Sequence, residues 1–201
     1  MRRRLRTASI AALCLFGVLG LSGCSSNDGL ADQYNSGSNK GYVAGDGTIL
    51  EIPAAQRTSP VSFSGTDQSG ATVDSSHYLG QVLVINFWYA GCAPCRAEAP
   101  TLAKVEAGFT PGTASIIGVN VRDGADTVTA FNQSFNINYP SILDTNTGSV
   151  QLAFSGTVPA NAVPTTIVLD QQGRVAARIL GRIADPSILS TIVSDLVTAR
   201  G

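Results

Sequence analysis

Phe87-Trp88-Tyr89-Ala90-Gly91-Cys92-Ala93-Pro94-Cys95-Arg96 is the stretch whose reading decides this chain. It follows the apolar run Val82-Leu83-Val84-Ile85-Asn86-Phe87-Trp88 and precedes a helical pattern from Ala93 to about Gly108. A continuous apolar run suits a central strand buried on both faces. Cys92 and Cys95, with two residues between them, can close a small disulfide ring and open it again. At the junction of a strand and a helix, unpaired backbone N–H groups and the helix dipole favour negative charge, so a thiol there is readily made a thiolate. The pattern therefore predicts a redox site.

Outward from that stretch, strands and helices alternate. Val61–Thr66 and Ala71–Val73 flank the turn-like Gln68-Ser69-Gly70 and read as a hairpin. Ser75–Leu79 reads as a helical turn. The helix after Cys92 offers Ala97, Leu102 and Val105 for an inner face, and Pro100 should kink it. Further strands are expected at Ala114–Val121, Tyr139–Leu143, Thr165–Asp170 and Arg174–Leu180, the last two joined by the Gln171-Gln172-Gly173 turn. Helices are expected at Thr127–Phe135, briefly at Val150–Phe154, and from Asp185, a capping residue, to about Ala199. This order predicts an α/β fold with a mixed central sheet.

The N-terminus reads as a targeting segment. Arg2, Arg3, Arg4 and Arg6 precede the 15-residue apolar run Thr7–Leu21, short for a membrane span. Leu21-Ser22-Gly23-Cys24 resembles the lipobox of bacterial lipoproteins. That resemblance implies cleavage before Cys24 and a diacylglycerol on its sulfur. Residues 1–23 are then a signal peptide, 24–47 a Ser/Asn/Gly-rich tether, and 48–201 one domain. Of four cysteines, Cys14 leaves with the signal and Cys24 becomes a thioether, so Cys92 and Cys95 carry the free chemistry. Loss of the signal arginines leaves 9 basic against 14 acidic residues, a net charge of −5. That balance gives no reason to expect nucleic acid as a partner. A zinc knuckle needs about four ligands; the mature chain offers two cysteines and His77, so no metal site is expected.

The run Gly80–Trp88 followed by Cys92-Ala93-Pro94-Cys95-Arg96-Ala97-Glu98-Ala99-Pro100 resembles the active-site stretch of thioredoxin-fold proteins, in their membrane-anchored, extracytoplasmic branch that includes TlpA and ResA. Ile117-Gly118-Val119-Asn120, Tyr139–Asp144 and Val163-Pro164-Thr165-Thr166 resemble, in order, that branch's second strand, the end of its central insertion and its cis-proline strand. The resemblance covers roughly residues 60–199 and implies a thioredoxin-like fold with helices flanking the sheet, an N-terminal β-hairpin and a central insertion. Two residues depart from the pattern. Gly91 stands where many relatives have tryptophan, and Asn86 where cytoplasmic thioredoxins carry a buried aspartate, so the proton acceptor must lie elsewhere.

With the resemblance in hand, roles can be assigned as expectations. Cys92 is the nucleophile, and Cys95, one turn on, resolves the mixed disulfide. Glu98 projects from nearly the same helix face as Cys95 and could exchange its proton if burial raised the carboxyl pKa; a solvated acid at a helix start is the bland alternative. The resemblance implies a cis bond before Pro164 and a Val163 backbone offered to an extended substrate. Trp88 and Tyr89 either border the substrate groove or pack the core. His77 and Arg96 read as surface residues.

The expected function is a lipid-anchored thiol–disulfide oxidoreductase on the extracytoplasmic face of the membrane. It would be a monomer without a cofactor, reducing protein disulfides with electrons from a membrane thiol carrier. Apocytochrome c is a candidate client. A disulfide-forming oxidant, a peroxiredoxin, or a copper- or haem-delivery module holding its ligand on Cys92 and Cys95 are the alternatives.

Overall fold

The computed structural model describes residues 49–157 and 162–199. The predicted signal peptide, the tether and Cys24 lie outside the described residues. The apolar run forms strand β4 (Val82–Trp88), buried at every position. It lies between β5 (Ala114–Asn120), its parallel neighbour, and β7 (Thr165–Leu169), its antiparallel one. Outside these lie β6 (Ser141–Leu143), parallel to β5, and β8 (Val175–Leu180), antiparallel to β7. With β1 (Ile49–Glu51) on the far edge, the mixed sheet runs β1-β8-β7-β4-β5-β6. Strands β2 (Ser64–Thr66) and β3 (Thr72–Asp74) form the separate hairpin. A single antiparallel bridge from Asp67 to Ile142 and a bond from the Ser141 N–H to Gln68 Oε1 (2.9 Å) join the hairpin turn to β6.

A central strand has two inner faces, which is why β4 shows no polar alternation. Val82, Val84 and Trp88 face a core built with helices α1 (Ala93–Ala107), α2 (Ala125–Phe135) and α4 (Pro186–Thr198). Leu83, Ile85 and Phe87 face a second core, built from the hairpin residues Phe63 and Val73 and from Val150 and Phe154 around the short helix α3 (Ser149–Ala153). Asp185 caps α4 by accepting the Ser187 N–H at 2.8 Å. Buried Asp170 secures the β7–β8 turn. Its carboxylate accepts from Arg57 (3.1 Å), from Arg174 Nε (2.8 Å) and from the backbone N–H groups of Gln172 and Arg174.

Helix α1 differs from the expectation in its inner face. It runs continuously from Ala93 to Ala107 through Pro100, whose ring is exposed. Ala97 is exposed; the inner face is Cys95, Glu98, Ala99, Leu102 and Val105. At about 100° per residue, Ala97 sits about 200° from Cys95, on the opposite side of the helix.

Gly118 on β5 admits no side chain. A Cβ there would collide with Ser141 Oγ and come within 2.7 Å of Trp88 Nε1. Gly118→Ala should therefore destabilise the fold by about 1–3 kcal/mol, the range for overpacking. Urea unfolding should show a lower midpoint, and an unchanged midpoint would refute the contact.

Candidate active site

Strand β4 delivers the chain to the dithiol. After Trp88, the segment Tyr89–Gly91 leads to Cys92, the N-cap of α1. Pro94 lies in the first turn, where a missing backbone N–H costs nothing. Cys92 and Cys95 are joined in a disulfide, with an S–S distance of 2.07 Å and Cα atoms 5.2 Å apart. Cys92 Sγ accepts the Cys95 N–H at 3.2 Å, so one of the helix's otherwise unpaired donors points at that sulfur. Both cysteines are buried, while Gly91, Ala93 and Pro94 around them are exposed.

A latch from β5 holds the approach segment. Asp123 Oδ2 accepts the Ala90 N–H at 2.6 Å and Asn120 Nδ2 at 2.9 Å. Buried Asn120 in turn accepts the backbone N–H groups of Arg122 (3.0 Å) and Asp123 (2.6 Å) through Oδ1. The carboxylate thus fixes the backbone two residues before Cys92.

Glu98 lies on the inner face of α1 with Cys95, and only 1% of its surface is exposed. Asn86 Nδ2 donates to Oε1 at 2.8 Å and the Ile183 N–H to Oε2 at 3.0 Å. Asn86 also donates to Thr166 Oγ1 at 3.1 Å, across the β4–β7 pair in which the two residues are register partners. Burial raises the Glu98 pKa to about 7, against the pull of those two donors and of the Arg182 charge. The carboxyl is therefore part protonated at neutral pH and can take or return a proton. Burial first, and the Glu98 charge second, push the Tyr139 phenol up.

The other residues singled out in the sequence fall in different places. The Val163–Pro164 peptide is cis. Pro164 is buried and Val163 half-buried, packed against the core cluster that contains Cys92 and Cys95. The Pro164 carbonyl accepts the Gly181 N–H at 2.9 Å. Trp88 does not border a groove: it is 3% exposed, and its ring packs 4.2 Å from that of Phe131. Its parity on β4 turns it to the core on the helical side, with Val82 and Val84. Half-buried Tyr89, the next residue, takes the surface position instead. His77 lies in a 3₁₀ turn (Ser75–Tyr78) remote in sequence from the dithiol. Among the described residues, no group of three or more His, Cys, Asp or Glu could hold a metal ion.

Sequence reasoning missed Asn120, Asp123, Thr166 and the Ile183 backbone, and it read Asn86 as a lost acid. The available signal was Asn86 in an otherwise apolar strand, since a buried amide needs partners.

The pH dependence of stability tests the buried carboxyl. Between its ordinary pKa of 4.5 and about 7, folded Glu98 holds a proton that the unfolded chain has lost. Stability therefore falls as pH rises through that window, by up to about 3 kcal/mol. Urea unfolding at pH 5 and pH 8 should show this loss in the parent and little of it in Glu98→Gln. Equal slopes in the two proteins would contradict the assignment.

Comparison with known proteins agrees with this geometry. Residues 57–178 match the AhpC/TSA family. Over 127 residues the chain is 28% identical to the thiol-disulfide oxidoreductase ResA of Bacillus subtilis, covering 63% of this chain and 68% of that one. A crystal structure of a DsbF homologue from Corynebacterium diphtheriae is 32% identical with a TM-score of 0.65, covering 76% of this chain and 96% of the other. A secreted thiol-disulfide isomerase from Corynebacterium glutamicum matches with the same identity and TM-score, covering 78% and 96%. The chain thus belongs to the AhpC/TSA family, as a thioredoxin-like thiol-disulfide oxidoreductase of the TlpA/ResA kind.

Proposed function

We propose that this protein is a lipid-anchored reductant of protein disulfides outside the cytoplasm, acting on dithiol proteins such as an apocytochrome c. In this reading residues 1–23 are the signal peptide, Cys24 carries the lipid, 24–47 form the tether and 48–201 the catalytic domain. The Cys92 thiolate attacks one sulfur of a client disulfide. A mixed disulfide forms and the first client thiolate leaves. Glu98 takes the proton of Cys95, whose sulfur then attacks Cys92. The client leaves with both sulfurs reduced, and the Cys92–Cys95 disulfide holds the oxidising equivalents. A membrane thiol carrier returns two electrons to it. The backbone at Val163 and Pro164 receives the client strand, since a short extended segment can pair there.

The observation that carries the direction is the buried carboxyl of Glu98 on the Cys95 face of α1. A second negative charge in that pocket opposes ionisation of Cys95, and destabilising the open, ionised dithiol makes it a better electron donor. The N–H aimed at Cys92 acts in the opposite sense on the other sulfur, where a helix terminus contributes about 0.3–1 kcal/mol. A second reading, disulfide formation in secreted proteins, draws on the Cys95 N–H aimed at Cys92 Sγ, which favours the reduced thiolate.

Equilibration with redox buffers separates the two. The reductant should have a potential well below about −250 mV, whereas a value near or above about −150 mV would select the oxidant. Replacing Cys95 with alanine in cells should trap clients on Cys92. Adducts of apocytochrome c in the membrane fraction are expected; a broad set of secreted proteins, or adducts only in the soluble fraction, would defeat the maturation role or the anchor respectively.

A further inference from the structure

We propose that Arg96 and Arg122 form a cationic rim beside the dithiol that selects client disulfides flanked by acidic side chains. The inference rests on reading Cys92 and Cys95 as exchanging disulfides with protein clients. Two elements bring the two guanidinium groups to the same segment. Arg122, exposed on the loop after β5, places its Cζ 4.1 Å from the centre of the Tyr89 ring. That ring overlies Gly91, where a Cβ would lie 3.5 Å from Tyr89 Cε2. Gly91 directly precedes Cys92, so Arg122 contacts the same tyrosine ring that lies against the backbone entering the nucleophile. Arg96, exposed on α1 directly after Cys95, has its Cζ 5.3 Å from the Phe135 ring centre and Nη1 3.5 Å from the Ala90 carbonyl. The two cations therefore bracket Tyr89-Ala90-Gly91.

Stacking on an aromatic face positions a guanidinium without neutralising it. Neither arginine forms an ion pair among the described residues, where the ion pairs gather at Asp170. The nearby Asp123 carboxylate is occupied by the Ala90 N–H and by Asn120. Both forks thus keep N–H donors for a carboxylate, the partner their planar geometry fits best. The charge is local, because the chain as a whole is slightly acidic, with 14 acidic residues against 13 basic. Arg182 adds a third exposed cation on the cis-proline side, next to Gly181, whose N–H is bound to the Pro164 carbonyl. An acidic client would find attraction at this edge of the molecule, whereas the Cys92 thiolate alone would repel it.

Three synthetic peptide disulfides, identical except for Glu, Ser or Lys beside the bridged cysteines, test this. Their reduction by the full chain in detergent, first reduced with dithiothreitol and freed of it so that the Cys92–Cys95 dithiol supplies the two electrons, is followed by stopped flow. The Glu peptide should react about five- to tenfold faster than the Lys peptide at low salt, as two exposed charge pairs allow. The ratio should shrink towards one at high salt. It should vanish in Arg96→Gln/Arg122→Gln and survive in Arg96→Lys/Arg122→Lys, which keeps the charges. Equal rates or a faster Lys peptide in the parent, or an unchanged ratio in the glutamine variant, overturn the rim. Failure to reduce any of the three, Ser included, would instead overturn the exchange activity on which the rim rests.

Discussion

Seven consecutive buried residues, Val82–Trp88, tie the molecule together. Their alternate side chains belong to two different cores, so neither helical layer nor hairpin can be lost without exposing this strand. The strand ends four residues before Cys92, and that termination fixes where the dithiol stands. Placing the active sulfurs at the end of a fully packed strand gives them a rigid base, while the segment between strand and helix stays at the surface. Asp123 limits the freedom of that segment from the loop after the neighbouring strand, through one short bond to Ala90.

The chemistry depends on one further consequence of the same strand. Asn86 is the polar residue within β4, and it faces the helical core. An amide there must be satisfied, and it is, by Glu98 on one side and Thr166 on the other. Glu98 is in turn steadied by the Ile183 N–H from the loop that leads into α4. Three elements thus converge on one carboxyl, and Thr166 lies two residues beyond the cis Pro164. The group that manages the proton and the loop assigned to the client share a strand.

Much of this was legible before any coordinates. The order of strands and helices, the helix start at Ala93 and the turn around Gly173 all follow from local patterns. The positions of Cys92 and Cys95 are equally plain, because their spacing restricts what they can do. Other residues misled. Trp88 offered a groove or a core reading because it is aromatic and near the thiols, and its parity on β4 turns it to the helical side, against Phe131. Ala97 looked like a core residue because alanine is small and apolar, yet the helix face is set by Cys95 and Glu98. Asn86 looked like a missing acid, though its amide is what orients the acid supplied by α1.

The sequence by itself determined which residues could do redox chemistry, where helix and strand begin, and that a carboxyl lies one turn from the second cysteine. These are properties of neighbours along the chain, governed by spacing, capping and apolar period. Only the tertiary structure decided that Glu98 is sealed from water with its pKa near 7, that Asp123 pins the approach to Cys92, and that Arg122 stacks on Tyr89. Each of these joins residues from separate elements, and burial and through-space charge depend on packing that no local pattern encodes.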